Sequence, residues 1–319
     1  MIALSRIAAG AALAVLAGCG SAGNIAASGI IRSGLAAGGN VTGSITVPSP
    51  NGTVQIPFRL VRPAGDGPFP AVVVMHDCSG LGPHSSGSPL RWARKLVASG
   101  YVVMVPDSFT PRGFPDGVCT NDHVQAASAF VRSGDARAAL AYLRALPYVD
   151  AAHIGLMGGS HGGSTTLATM LDHEDAQAGS QRGFAAAIAF YPGCGFSYGP
   201  WRAARRSEPD RLILDFAGVY KPAAPLLILI GEEDDWTPAA YCQKLADAAQ
   251  GAGYPVSIKV YPGALHAFDG NFKVTYNPDR NNANKPGGRG ATTGGDPIAW
   301  ADAEKQVAAF FGRYLKGAD

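Results

Sequence analysis

Short apolar runs without a polar break alternate with longer stretches of helical periodicity along most of this chain. Ala71-Val72-Val73-Val74-Met75 and residues 101–106 are apolar throughout, as a strand buried on both faces of a sheet requires. Residues 153–157, 185–191, 226–230 and 256–261 predict further strands of the same kind, and residues 53–62 an earlier one. Residues 63–70, rich in Pro and Gly, read as a turn. Helices are predicted over 88–99 and 124–146, from Gly162, after Pro238, and from about Pro297 to Leu315. In the longest, Val131, Ala138, Ala139, Tyr142, Leu143 and Leu146 recur at helical spacing, and Pro147 ends it. Strands that alternate with helices predict an α/β fold: a mostly parallel central sheet with helices on both faces. No internal repeat is visible, and one domain over residues 41–319 accommodates all of these elements.

The first forty residues follow another pattern. Residues 1–6 are weakly positive and residues 7–18 form an apolar run too short to span a bilayer. The run ends in Leu16-Ala17-Gly18-Cys19, which resembles the bacterial lipobox, whose Cys becomes the lipidated first residue of the mature chain. The expectation is a lipoprotein-type signal peptide at 1–18, a lipid anchor at Cys19 and a flexible Gly/Ala/Ser tether over 19–40. An ordinary signal peptide with an incidental Cys is the alternative. Either way the protein is expected outside the cytoplasm, in the anchored case on the periplasmic side of a bacterial membrane, under oxidising conditions.

Composition narrows the function classes. At 47% hydrophobic and 16% charged residues, the 319-residue chain has ample material for a core. A net charge of +2 without a Lys/Arg-rich block gives no cationic track for a nucleic acid. The 42 glycines suit a fold with many strand-to-helix turns. Those in the polar insertion 271–295 lack the Gly-Lys-Ser/Thr sequel of a phosphate loop, so that insertion reads as a mobile surface loop placed where a lid could sit.

Gly158-Gly159-Ser160-His161-Gly162 fits Gly-x-Ser-x-Gly. The pentapeptide is short enough for chance to supply, and its setting carries the weight. It follows the predicted strand 153–157 and opens a helix, the strand–turn–helix context of a nucleophile elbow. A serine needs a base and an orienting acid, which in that architecture follow in the order acid, then His. Glu232-Glu233-Asp234-Asp235 lies just past the strand 226–230, and His266 lies in the loop after the strand 256–261. Asp234 is favoured as the acid by its spacing to Pro238, with Asp235 its rival. Two backbone N–H groups must hold a developing oxyanion: those of His161 and, from the loop after residues 71–75, Cys78. His76 and His161 fall close enough to touch substrate, and Trp236 could line a pocket or cap the core.

Taken together, these segments resemble the dienelactone hydrolase family of the α/β-hydrolase superfamily. The resemblance runs from about Pro57 to the C-terminus. It rests on His76-Asp77-Cys78-Ser79-Gly80-Leu81, Pro106-Asp107-Ser108-Phe109-Thr110-Pro111-Arg112-Gly113, Asp150-Ala151-Ala152-His153-Ile154-Gly155, and the segments 158–163, 231–238 and 261–268. It implies an α/β-hydrolase fold and hydrolysis of carboxylic esters or lactones, without metal or organic cofactor, on a small-molecule substrate. A monomer is expected. Arg112 matches a family arginine that binds a substrate carboxylate, and a loop ion pair is its other reading. The family's namesakes carry Cys where this chain has Ser160, which counts against dienelactone itself as the substrate. An acyltransferase or peptidase with the same Ser, His and Asp, or a non-catalytic binding protein of the envelope, are the rival classes.

Four cysteines remain after Cys19, and no Cys-x-x-Cys pair points to a metal. The strand order of the resembled fold pairs Cys78 with Cys119 and Cys194 with Cys242, both at the carboxyl edge of the sheet; buried free thiols are the alternative.

Overall fold

The antiparallel start of the sheet arises from two strands with one wet face. In the computed structural model, which describes residues 39–49, 52–121, 125–171, 183–208 and 211–317, β1 (Asn40–Ser49) pairs with β2 (Gly52–Val61). Alternate positions Ile45, Val47, Ile56, Phe58 and Leu60 are buried, as period-two patterning dictates. The segment expected to be a signal peptide, and all but residues 39 and 40 of the expected tether, lie outside the described residues.

The chain then alternates strand and helix: β3 (Phe69–Met75), α1 (Ser88–Ala98), β4 (Val102–Pro106), α2 (Ala129–Arg144), β5 (Val149–Gly159), α3 (His161–Thr169) and β6 (Ala186–Phe190). A hairpin of β7 (Arg202–Glu208) and β8 (Arg211–Ala217) precedes β9 (Leu226–Gly231), α4 (Ala239–Gly251) and β10 (Val256–Tyr261). A second hairpin, β11 (Thr275–Asn281) and β12 (Arg289–Thr293), precedes α5 (Pro297–Lys316). The main sheet runs β1-β2-β4-β3-β5-β6-β9-β10, parallel from β4 onward and covered by helices on both faces. This is the α/β-hydrolase fold. The parallel strands β4, β6 and β9 are buried at every position, which explains their unbroken apolar sequences. Because these strands are parallel, the loops after β3, β4, β5, β6, β9 and β10 all emerge at one edge.

Three departures from expectation bear on that edge. Helix α2 starts at Ala129, where the Ser128 hydroxyl accepts a bond from the Val131 amide at 3.3 Å; residues 125–127 form a short 3-10 turn instead. Its buried stripe is Arg132, Asp135, Ala136, Ala139, Leu140 and Leu143, rotated from the expected one so that Val131 faces outward. Two charged residues on that stripe hid it from a hydrophobicity pattern. Finally, the insertion 271–295 is the β11–β12 hairpin and not an open loop: Asn282 donates to the carbonyls of Asp235 (2.9 Å) and Gly290 (2.8 Å), and Lys285 pairs with Asp235 at 2.7 Å.

Candidate active site

Ser160 sits at the junction of β5 and α3 with φ 53° and ψ −115°, a conformation that side-chain-bearing residues rarely adopt. The flanking glycines make the turn sterically possible. A Cβ on Gly162 would lie 2.2 Å from the Met75 carbonyl oxygen, and one on Gly158 would lie 2.4 Å from that of Gly162. The turn is secured by Ser160 N–H donating to Phe190 O at 3.0 Å and Ser164 N–H donating to Ser160 O at 2.8 Å. Strain of this kind costs on the order of 1–3 kcal/mol and persists only where the surroundings over-determine it. Two other non-glycine residues with positive φ, Tyr191 and Ala267, flank the same spot.

The loops after β9 and β10 bring two partners to Ser160. His266 Nε2 lies 2.9 Å from Ser160 Oγ, and its Nδ1 lies 2.7 Å from Asp234 Oδ2. All three side chains are buried. Asp234 Oδ1 accepts from the Trp236 and Thr237 amides at 2.9 and 2.7 Å, which fixes the carboxylate in place. A proton on Nδ1, donated to Asp234, leaves Nε2 to accept the serine proton. A hydroxyl so placed can attack an electrophile while passing its proton to His266. Asp235 points away, toward Lys285, the Thr292 amide and the Thr292 hydroxyl. Its carboxyl is held below the ordinary range because those bonds outweigh the opposing effect of partial burial.

His266 is clamped between two rings, Tyr191 at 4.7 Å and Trp236 at 4.9 Å between centroids. Tyr191 donates to Asp269 Oδ1 at 2.6 Å, and the other carboxylate oxygen accepts from Ser88 Oγ (2.7 Å) and Trp92 Nε1 (2.6 Å). The backbone of His266 bridges to Thr293 at the end of β12, and Gly294 N–H donates to its carbonyl at 3.1 Å. The hairpin thus supports the loop that carries the imidazole. Neither Asp269 nor Tyr191 was singled out from sequence. Asp269, three residues after His266, looks like any polar loop residue until its three donors are known.

Behind Ser160 lies a buried cation. Arg132, fully buried on α2, donates to the His76 carbonyl at 2.7 Å and to His161 Nδ1 at 2.7 Å, and lies over the Phe109 ring at 4.7 Å. It ties the loop after β3 to the first residue of α3. Among the described residues, the N–H groups of Cys78 and His161 donate to no other group. His161 stands at the N-terminus of α3, where free amides and the helix dipole favour negative charge.

Two expected substrate contacts are placed elsewhere. His76 is buried; its Nε2 accepts from Ser108 N–H at 3.1 Å and its Nδ1 donates to Asp77 O at 2.9 Å, so its ring is spent on orienting the loops after β3 and β4. Arg112 forms a bidentate pair with the buried Asp135 at 2.7 and 2.8 Å and lines neither cavity beside Ser160. Its two expected roles were a substrate clamp and an ion pair, and the geometry is the second. Trp236 lines both cavities.

Burial first, and then the charge of Arg132, hold His76 and His161 well below the ordinary histidine value of 6.5. The unfolded chain therefore takes up protons near pH 6.5 that the native state refuses. Stability is predicted to fall as the pH drops below about 6.5, by at most about 1.4 kcal/mol per pH unit for each histidine. Urea unfolding at pH 7, 6 and 5 should show this slope, and His161→Gln should remove one histidine's share of it.

Disulfides Cys78–Cys119 and Cys194–Cys242 are both present at this edge. The first ties the loop after β3 to the segment whose Cys119 carbonyl accepts from Asn281 N–H at 2.9 Å, on β11. Closing a 41-residue separation is worth about 4 kcal/mol through the unfolded state. A Cys78→Ser/Cys119→Ser double variant should lose about that much in chemical unfolding and lose activity at temperatures where the wild type remains folded.

Residues 56–315 match the model of the dienelactone hydrolase family. A protein of Methylorubrum extorquens named as a carboxymethylenebutenolidase is 27% identical over 248 residues, 75% of this chain and 76% of that protein. One of Synechocystis with the same name is 28% identical over 74% of this chain and 89% of its own length. Among solved structures, a protein of Klebsiella pneumoniae named as a dienelactone hydrolase superposes with a TM-score of 0.58 at 20% identity, covering 86% of this chain and all of its own. Esterase 2 of Thermogutta terrifontis gives a TM-score of 0.54 at 19% identity, covering 85% and 94%.

Proposed function

The chain belongs to the dienelactone hydrolase family and is a carboxylic-ester hydrolase, and from that premise we propose that it cleaves esters or lactones through an acyl-enzyme on Ser160. The observation that carries this is the unbroken line Asp234–His266–Ser160 at the floor of an open cleft. Ser160 Oγ attacks the carbonyl carbon as His266 Nε2 takes its proton. Asp234 holds the imidazole in the required tautomer and stabilises its charged form. The N–H groups of Cys78 and His161 receive the oxyanion, and the tetrahedral intermediate collapses as His266 protonates the leaving alcohol. Water then repeats the sequence on the acyl-enzyme, and the acid departs.

A hydroxyl activated by a neighbouring base is a different tool from the thiolate of the family's namesakes, so dienelactone is not the proposed substrate. The Gly18-Cys19 junction and the two disulfides support an enzyme held by a lipid at Cys19 and facing an oxidising compartment on the periplasmic side of a bacterial membrane. Labelling by a fluorophosphonate probe tests the site. Wild type is expected to react at one serine and Ser160→Ala not at all; labelling that survives the substitution would overturn the assignment.

Arg132 is assigned as a positioning residue for both oxyanion donors, because it grips the His76 carbonyl and the His161 ring at once. Arg132→Met is expected to lower kcat by roughly a hundredfold with KM changed little, since the donors act on the transition state alone. The split between kcat and KM, together with an equal loss of affinity for a boronic acid analogue, separates this role from a merely structural one.

A further inference from the structure

Two cavities open on Ser160, one of about 300 Å3 and one of about 340 Å3. They share Cys78, Cys119, Ser160 and Trp236, and otherwise differ in chemistry. The first carries Asp77, Arg91 and Arg280 among its walls, and the second Val118, Phe130 and Phe196. Resting on the acyl-enzyme reading above, we propose that the substrate is an ester of an apolar acid with a neutral, hydroxyl-rich alcohol. The acyl group lies in the second cavity and the alcohol in the first.

The position of His266 decides which half takes which end. His266 lines the first cavity and not the second, whereas His161, one of the two oxyanion donors, lines the second and not the first. When the tetrahedral intermediate collapses, the bond to the alcohol oxygen breaks and that oxygen takes the proton on Nε2. The leaving alcohol therefore sits on the His266 side. The acyl carbon's other substituent is directed to the remaining side, past His161.

Wall chemistry then sets the class at each end. In the first cavity Arg91 donates to the carbonyls of Ser86 (2.8 Å) and Asp269 (3.2 Å), and its Nε is buried without a partner. The Arg280 guanidinium lies over the Trp236 ring at 5.1 Å. Two carboxylates, Asp77 and Asp269, share the same walls, so the charges of the arginines are balanced. Donors and acceptors interleaved without net charge suit hydroxyl groups, which do both, better than a carboxylate or an alkyl chain. In the second cavity Phe130 and Phe196 are 49% and 42% exposed, a large apolar area for aromatic residues at the mouth of a cleft. Arg205, on β7, covers one face of Phe196 at 5.2 Å, and the rest is left for an acyl chain or aryl group.

Matched esters test this. With wild type, kcat/KM for glyceryl octanoate should exceed that for glyceryl succinate, which tests the acyl end, and that for hexyl octanoate, which tests the alcohol end. Phe196→Asp should lower the octanoyl-to-acetyl ratio by roughly tenfold while the glyceryl-to-hexyl ratio holds. Arg280→Met should do the reverse. Ratios that respond the other way round, or to neither variant, overturn the assignment of the halves. An alcohol bearing a carboxylate preferred over glycerol overturns the neutral class. A protein labelled at Ser160 that shows no such ratios loses only this inference; one that is neither labelled nor active on any ester loses the function proposed above as well.

Discussion

Replacing Ser160 by Ala is expected to lower kcat for a simple ester by roughly 10⁴- to 10⁶-fold, with KM within a few-fold of wild type. In the proposed mechanism the hydroxyl contributes only as the attacking atom. Its loss removes the acyl-enzyme route but leaves the Cys78 and His161 amides and both cavities intact, so residual turnover above the rate in water should persist. The protein should stay folded, because the turn is held by Phe190 O and by the close approach at Gly158 and Gly162, not by the Ser160 side chain. Steady-state kinetics beside an unchanged urea midpoint check both parts. Turnover within tenfold of wild type would mean that Ser160 is not the attacking group.

The second large effect is at the acid. Asp234→Asn is expected to cost roughly 10⁴-fold in kcat with little change in stability. The carboxylate accepts from His266 Nδ1 at 2.7 Å and from two backbone amides. An amide that turns its NH2 toward Nδ1 forces the imidazole proton onto Nε2, which can then no longer accept from Ser160. Asp235→Asn gives the internal control. That carboxylate binds Lys285 and Thr292 on the β11–β12 hairpin, so the expected result is a modest loss of hairpin stability and a kcat within tenfold of wild type. Parallel kinetics on the two variants separate neighbours that the sequence alone left as rivals.

The order of strands and helices was legible because parallel strands buried on both faces must be apolar throughout. The meeting of Ser160, Asp234 and His266 was legible for a related reason: each falls directly after such a strand, and parallel strands deliver their ends to one edge. The two disulfides followed from the same strand order once the family resemblance supplied it. What stayed hidden is polar and buried. Arg132 and Asp135 interrupt the apolar stripe of α2, so the periodicity seen in the sequence picked a face turned by roughly one position. The signal was present, since Arg132, Asp135, Ala136, Ala139, Leu140 and Leu143 keep helical spacing, but it requires reading a charge as buried.

Other parts depended on contacts between distant segments. Asp269 finds its donors on α1 and at the end of β6, about 80 to 180 residues away in sequence. Arg112 matched a substrate-binding position of the family, and only the location of Asp135 shows that its guanidinium is already spent. The hairpin at 275–293 was read as loop because its strands are rich in Asn, Asp and Arg. Their pairing is fixed instead by Asn282, Lys285 and the carbonyls they meet around Asp235 and Gly290.

The central claim is a covalent intermediate on Ser160, and trapping it is the most direct measurement. Wild type mixed with excess of a slowly deacylating ester and quenched in acid should carry one added acyl mass. After proteolysis that mass should lie on Ser160, and Ser160→Ala should carry none. The acyl mass on any other residue, or an equal amount of it on Ser160→Ala, would contradict the account.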